Sequence, residues 1–207
     1  MHDDLIDGVN WAVEKRIADP ERVAIVGGSY GGYATLVGLT FTPETFACGV
    51  DIVGPSNLIT LVESIPPYWQ SMIEVFANRM GDHRTEEGRE FLKSRSPLTH
   101  VGQIRRPLLI AQGANDPRVK QAESDQIVGA MQEKDIPVTY VLYADEGHGF
   151  ARPENSLSFS AISEAFLADV LGGRNEPIGS DFEGASFAVL AGAAEIPGLS
   201  EALAGMN

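Results

Sequence analysis

The sequence predicts an α/β protein with a mainly parallel sheet and helices on both faces of that sheet. Short apolar, β-branched runs alternate four times with segments of helical periodicity, an order typical of parallel strands joined by helical crossovers. The strand runs are mainly apolar, which indicates strands buried on both faces. With 207 residues, the chain has the length of one domain.

The first element is an amphipathic helix over residues 3–18, because apolar side chains recur at every fourth position. These side chains are Leu5, Val9, Val13 and Ile17. Pro20 ends the helix, since proline disfavours a helical conformation in the residue before it. The apolar run at 22–28 is predicted to be the first strand, and a helix at 31–41 follows.

Three further strands are predicted at 47–53, 107–112 and 138–143. Residues 58–106 are helical but broken by proline and glycine, and they form an insertion between the second and third strands. Such an insertion lies over the carboxyl ends of the strands, where open α/β sheets bind ligands. The last two helices are predicted at about 120–134 and in a segment that carries Leu157, Ile162, Phe166 and Val170 before Gly172.

A sharp corner joins the first strand to the helix after it, where residues 27–33 read Gly-Gly-Ser-Tyr-Gly-Gly-Tyr. A strand, a G-x-S-x-G and a helix together form the context of a nucleophile elbow. The glycines are needed because a Cβ would clash where strand and helix nearly touch. A glycine-rich turn that merely carries a serine is the alternative, and groups downstream favour the elbow with Ser29 as nucleophile.

Asp116 and His148 follow the third and fourth predicted strands, so three strands each end in a group that serine chemistry requires. A serine needs an adjacent base, and the base needs a carboxylate that holds its tautomer. The order Ser, Asp, His is that of the α/β-hydrolase arrangement. We predict Ser29 as nucleophile, His148 as base and Asp116 as its orienting acid, with the amide of Tyr30 as an oxyanion donor.

The other candidates for the base fall near the terminus or in the insertion, not at a strand end. These are His2, His83 and His100. Among the other acids, Asp125 lies on a predicted helix, and Asp145 is too near His148 along the chain to be its strand-end partner.

Four motifs resemble the catalytic domain of the prolyl oligopeptidase family, most closely its acylaminoacyl-peptidase and dipeptidyl-peptidase-like branch. They are the elbow, Ser-Pro-Leu at 96–98, Asn-Asp-Pro-Arg-Val at 115–119 and Gly-His-Gly-Phe at 147–150. The resemblance covers about residues 3–172. It implies a partial α/β-hydrolase fold and a serine peptidase acting on short peptides, with esterase activity common among relatives.

The resemblance also implies substrate-binding residues. Arg118 matches a position where the family often contacts a substrate carbonyl. Tyr68 and Trp69 fall where aromatic side chains line the pocket for the residue before the scissile bond. Ordinary packing within the insertion is the alternative for these two aromatic residues.

Two parts of the family pattern are not recognised in this sequence: an N-terminal β-propeller, and the first strands of the sheet with a second oxyanion donor. We therefore expect an N-terminally truncated piece of a longer protein, with an α/β-hydrolase catalytic domain at 1–173 and a C-terminal extension at 174–207. The extension is either a loose tail or a short strand and helix packed on the domain. The strand at 22–28 would lie at an open edge, so we expect a homo-oligomer through that edge, or a rearranged terminus that covers it.

The charge balance excludes some functions, because 15 Lys and Arg stand against 29 Asp and Glu, a net charge of −14. A surface this acidic favours neither nucleic acid nor an anionic membrane, so we predict neither partner. Cys48 is the only cysteine, so an internal disulfide is impossible. No signal peptide or long apolar span is recognised, which leaves localisation open with the cytoplasm as default.

We therefore predict a serine hydrolase that cleaves short peptides or small esters through an acyl-enzyme on Ser29, with no cofactor and no metal. Two alternatives stay open. One is a carboxylesterase with little peptidase activity, and the other is a weakly active fragment that mainly self-associates.

Overall fold

The computed structural model describes residues 1–206 and contains a five-stranded, mainly parallel sheet with helices on both faces. The strands lie side by side in chain order, and the first four are parallel to one another, while the fifth is antiparallel to the fourth. The strands are β1 (Ala24–Gly28), β2 (Cys48–Ile52), β3 (Leu108–Gly113), β4 (Thr139–Tyr143) and β5 (Phe187–Ala191). This is the predicted partial α/β-hydrolase fold.

Eight α-helices are assigned within residues 1–206. They are α1 (His2–Glu14), α2 (Tyr30–Phe41), α3 (Leu58–Glu63), α4 (Ile73–Met80), α5 (Glu86–Arg95), α6 (Gln121–Gln132), α7 (Pro153–Leu171) and α8 (Leu199–Ala204). The insertion between β2 and β3 contains α3, α4 and α5. Within residues 1–206, no helix has the length and apolar character that crossing a membrane requires.

Two hydrophobic clusters lie on opposite faces of the sheet. The first joins α2 and α6 to the sheet, with α1 packed at its margin, and the second joins α7 and α8 to the other face. In β3, Leu108 and Ile110 enter the first cluster and Leu109 enters the second, because successive side chains of a strand point to opposite faces. This explains why successive residues of β3 are apolar instead of alternating between apolar and polar.

The first helix is shorter than predicted. It ends at Glu14 instead of residue 18, because Arg16 turns the backbone with a φ of 58° and the Ile17 N–H donates to the carbonyl of Ala12. Ile17, the last position of the predicted apolar stripe, is exposed as a result.

The C-terminal segment forms a strand and a helix that pack on the body of the fold. β5 extends the sheet beyond β4, with Phe187 opposite Tyr143. Leu199 of α8 is buried in the same cluster as Phe166 of α7. Of the two alternatives for this segment, the structure therefore has the short strand and helix.

Candidate active site

Ser29 occupies the turn between β1 and α2 in a strained backbone conformation. Its φ is 59° and its ψ is −116°, a region that costs a residue with a side chain about 1–3 kcal/mol. A hydrogen bond connects the turn to the neighbouring strand, because the Ser29 N–H donates to the carbonyl of Ile52 at the end of β2 over 2.8 Å. The sequence therefore builds an elbow at the predicted position.

Two glycines of the elbow are required by close packing. A Cβ on Gly27 would lie 2.3 Å from the carbonyl of Gly31, so strand and helix could not approach as they do. A Cβ on Gly32 would lie 2.2 Å from Oδ1 of Asp51. By contrast, a Cβ on Gly31 would meet nothing within 4 Å.

His148 lies between Ser29 and Asp116. Its Nε2 is 2.8 Å from Oγ of Ser29, and its Nδ1 is 2.6 Å from Oδ2 of Asp116. The Asp116 side chain is fully buried and that of His148 is 13% exposed, so the carboxylate is enclosed while the imidazole borders solvent. The structure therefore brings the three predicted side chains into one hydrogen-bonded row.

Backbone N–H groups fix the orientation of the Asp116 carboxylate. Its Oδ1 accepts hydrogen bonds from the N–H of Arg118 at 2.8 Å and of Val119 at 3.0 Å, which leaves Oδ2 for His148. An imidazole that donates from Nδ1 to this oxygen presents the lone pair of Nε2 to the serine hydroxyl. The row can therefore move a proton from Ser29 to His148.

Tyr30 is the first residue of α2. The N–H groups of a helix's first turn have no partner within the helix, and the positive end of the helix dipole lies there. Such a position suits an oxyanion formed beside Ser29.

The predicted substrate-binding residues form a group beside the row. The Arg118 guanidinium carbon is 5.7 Å from the centre of the Trp69 ring, and the ring of Tyr68 lies edge-on to Trp69 with the two centres 6.0 Å apart. The backbone N–H of Arg118 donates to Asp116, and Trp69 belongs to the insertion. The Arg118–Trp69 pair therefore connects the row to the insertion. Tyr68 is exposed.

Four of the five alternative bases and acids, His2, His100, Asp125 and Asp145, have other partners. His2 contacts the hydroxyl of Thr42, and His100 packs against Phe41. Asp125 accepts a hydrogen bond from the Tyr140 hydroxyl, and Asp145 pairs with Arg152. None of these four contacts reaches Ser29.

Sequence reasoning missed a buried carboxyl group beneath the elbow. Asp51, on β2, is 1% exposed and lies against Gly32 and Gly54. Burial raises the pKa of this carboxyl to about 7, and the N–H of Gly54 offsets part of the effect. The available signal was a single acidic residue inside the apolar run at 47–53.

Glu146, a buried acid two residues before His148, was also not predicted from the sequence. The available signal was its place next to the Gly-His-Gly-Phe motif.

Comparisons with known proteins identify the family to which this chain belongs. The model of the Prolyl oligopeptidase family matches residues 1–174. The chain is 67% identical over 205 residues to Dipeptidyl aminopeptidase BIII of Pseudoxanthomonas mexicana, covering 99% of this chain and 30% of that protein. It is 58% identical over 178 residues to Dipeptidyl peptidase family member 6 of Caenorhabditis elegans, covering 86% of this chain and 24% of that one.

Among solved structures, the chain is similar to a puromycin-hydrolyzing peptidase of Mycobacterium tuberculosis. The TM-score is 0.76 at 30% sequence identity, over 86% of this chain and 26% of that structure. The chain thus spans less than a third of the length of each of these relatives.

Proposed function

Because this chain belongs to the prolyl oligopeptidase family of serine hydrolases, we propose that it carries the catalytic centre of a peptidase that cleaves short peptides. The observation that supports this most directly is the hydrogen-bonded row of Ser29, His148 and Asp116. Each group has the partner that its role in acyl transfer demands.

The proposed reaction has two halves. Oγ of Ser29 attacks the scissile carbonyl while Nε2 of His148 takes the hydroxyl proton, and the Tyr30 N–H stabilises the oxyanion. His148 then returns the proton to the leaving amine, and the C–N bond breaks to give an acyl-enzyme. In the second half, water attacks the ester, its proton passes through His148, and the acid and free Ser29 are released.

The substrate is proposed from the relatives and from the residues beside the row. The P. mexicana relative is named a dipeptidyl aminopeptidase, so dipeptidyl amides are the first substrates to test. We propose that Arg118, with its guanidinium over the Trp69 ring, donates to a carbonyl of the bound peptide. Tyr68 would line the pocket for the residue before the scissile bond.

An esterase is less favoured than a peptidase, because the relatives described above are named as peptidases. Comparing a dipeptidyl nitroanilide with a nitrophenyl ester separates the two. Turnover of the ester with no detectable cleavage of the anilide would favour the esterase.

Covalent labelling tests the nucleophile. A fluorophosphonate probe should label the 207-residue chain at Ser29, and both Ser29→Ala and His148→Ala should abolish labelling. Ser94→Ala is the matched control, because Ser94 is exposed and its hydroxyl donates only to the carbonyl of Phe91. Labelling that survives Ser29→Ala would refute the proposed nucleophile, and no labelling of the unaltered chain would favour a weakly active fragment.

We also propose that β1 mediates self-association. Within residues 1–206, β2 is the one strand that pairs with β1, and Val26 at the middle of β1 is 54% exposed. An open edge of this kind is a template for pairing with a second chain. Sedimentation should detect an oligomer, and Val26→Lys should convert it to monomer. Leu190→Lys is the control, because Leu190 is exposed on β5, and this variant should remain oligomeric. A monomeric unaltered chain would refute the proposal.

A further inference from the structure

The loop that carries His148 has glycine on both sides of the histidine at its tip. Gly147 and Gly149 flank the histidine, and Gly149 has a φ of 120°, which glycine tolerates and other residues rarely adopt. Glycine on both sides gives the imidazole little local constraint. Besides its own hydrogen bonds to Asp116 and Ser29, the imidazole therefore depends on contacts made before and after this tip.

Glu146 makes those contacts on both sides. Its carboxylate accepts the N–H of Ala151 at 2.9 Å on Oε2 and the N–H of Arg152 at 2.8 Å on Oε1. The carboxylate therefore closes a ring from residue 146 to residues 151 and 152, with His148 inside it. Glu146 is only 3% exposed, so these bonds are shielded from water.

Glu146 also connects the His148 loop to the residues that follow β3, which include Asp116. The backbone carbonyl of Glu146 accepts the N–H of Asn115 at 2.9 Å. A Cβ on Gly113 would lie 2.1 Å from the carbonyl of Gly147, so the end of β3 sits directly against this loop. One residue thus connects the His148 loop to both α7 and the Asp116 loop.

The carboxylate is held ionised. Burial raises its pKa, but the N–H donors of Ala151, Asn155 and Arg152 outweigh burial and bring the pKa of Glu146 below its ordinary value. Hydrogen bonds from N–H groups to an ionised carboxylate are stronger than bonds between neutral groups.

Asn155, a fully buried residue on α7, extends the connection to the C-terminal segment. Its Nδ2 donates to Oε1 of Glu146 at 2.8 Å, and its Oδ1 accepts the N–H of Ser186 at 2.8 Å. The Ser186 carbonyl in turn accepts the N–H of Ala144, at the start of the loop, at 3.1 Å. The side chain therefore bridges the catalytic loop and the residues just before β5.

We propose that Glu146 is a positioning residue which, with Asn155, holds His148 in line with Ser29 and couples that placement to the segment around Ser186. The proposal rests on the proposed function, because it assumes that His148 acts on Ser29. It adds that the C-terminal segment is part of what keeps the base in place.

Three variants test the proposal by their fluorophosphonate labelling rates. Glu146→Ala removes all three acceptor bonds, and a displacement of the base by about 1 Å should lower the rate by about 10²-fold. Glu146→Gln keeps one acceptor oxygen but sets an amide N–H against a backbone N–H, so a loss of about tenfold is expected. Asn155→Ala should also lose about tenfold, and Glu164→Gln, an exposed glutamate on the same helix, should lose nothing.

Two further readouts distinguish positioning from general destabilisation. With a chromogenic dipeptide amide, Glu146→Ala should lower kcat while leaving KM within about twofold. The low-field proton resonance of the His148 Nδ1–H, which reports its hydrogen bond to Asp116, should broaden or vanish in Glu146→Ala at temperatures where circular dichroism shows an intact fold.

The outcomes separate this proposal from the proposed function. Labelling of Glu146→Ala within twofold of the unaltered chain, or an unchanged His148 resonance, would overturn the positioning role. If the unaltered chain does not label, the proposed function fails, and the His148 resonance alone decides the positioning role. If Glu146→Ala does not fold, Glu146→Gln and Asn155→Ala decide by the same criteria.

Discussion

Replacing Asp51 with asparagine should remove a loss of stability that the protein suffers as the pH rises towards neutrality. The ordinary pKa of this carboxyl is 3.8, and burial raises it to about 7. The folded protein therefore keeps a proton between these pH values that the unfolded chain has released. Stability from this group is fully present below about pH 4 and is lost as the pH rises through about 7.

The magnitude follows from the size of the shift. Because one pKa unit corresponds to 1.36 kcal/mol, the free energy of unfolding should fall by on the order of 4 kcal/mol between about pH 4 and about pH 8. Asparagine keeps the shape of the protonated carboxyl and does not ionise. Asp51→Asn should therefore match the unaltered protein at low pH and exceed it in stability above pH 7.

Urea denaturation at about pH 5 and about pH 8 measures the larger part of this difference, on the order of 3 kcal/mol. The quantity to compare is the change in unfolding free energy between the two pH values, which should be smaller in Asp51→Asn. Asp169→Asn is the control, because Asp169 is an exposed aspartate on α7. If Asp51→Asn and the unaltered protein lose equal stability over this range, the buried carboxyl does not retain its proton and the reasoning is wrong.

Two further predictions concern the elbow and the orienting acid. Gly32→Ala should lower the labelling rate by about 10²-fold, because its Cβ would lie 2.7 Å from the backbone Cα of Gly54 and must displace the elbow. Equal rates in Gly32→Ala and in the control Gly31→Ala would contradict this. Asp116→Asn should lower the rate by about 10⁴-fold, because an amide favours the wrong tautomer of the base, and a loss below tenfold would argue against that role.

The sequence predicted the four parallel strands because their residues are mainly apolar. A strand such as β3, which is buried along its whole length, is mainly apolar, and such a run is visible without knowing its neighbours. The strand β5 was not resolved from its sequence, since Ala188 and Leu190 are exposed and it forms by pairing with β4. Its formation depends on tertiary contacts that no local pattern displays.

The topology of the sheet predicted that the three side chains of the row would meet, but it did not predict the contacts that hold them in place. Parallel strands place their carboxyl ends at one edge of the sheet, so Ser29, Asp116 and His148 could be expected to meet there. The bonds of Glu146 to residues 151 and 152 depend on how a loop folds back on a helix. The burial of Asp51 depends on two glycines from separate elements, and neither fact is written in residue spacing.

The position of β1 has a consequence for how the 207-residue chain would lose hydrolytic activity on warming. The nucleophile is attached to the outermost strand, while the acid and the base follow the inner strands β3 and β4. Outer strands open at lower free energy than the centre of a sheet, in partial unfolding events that leave the rest intact. We therefore expect hydrolysis to fail at a temperature below the main calorimetric transition, with amide exchange fastest in β1.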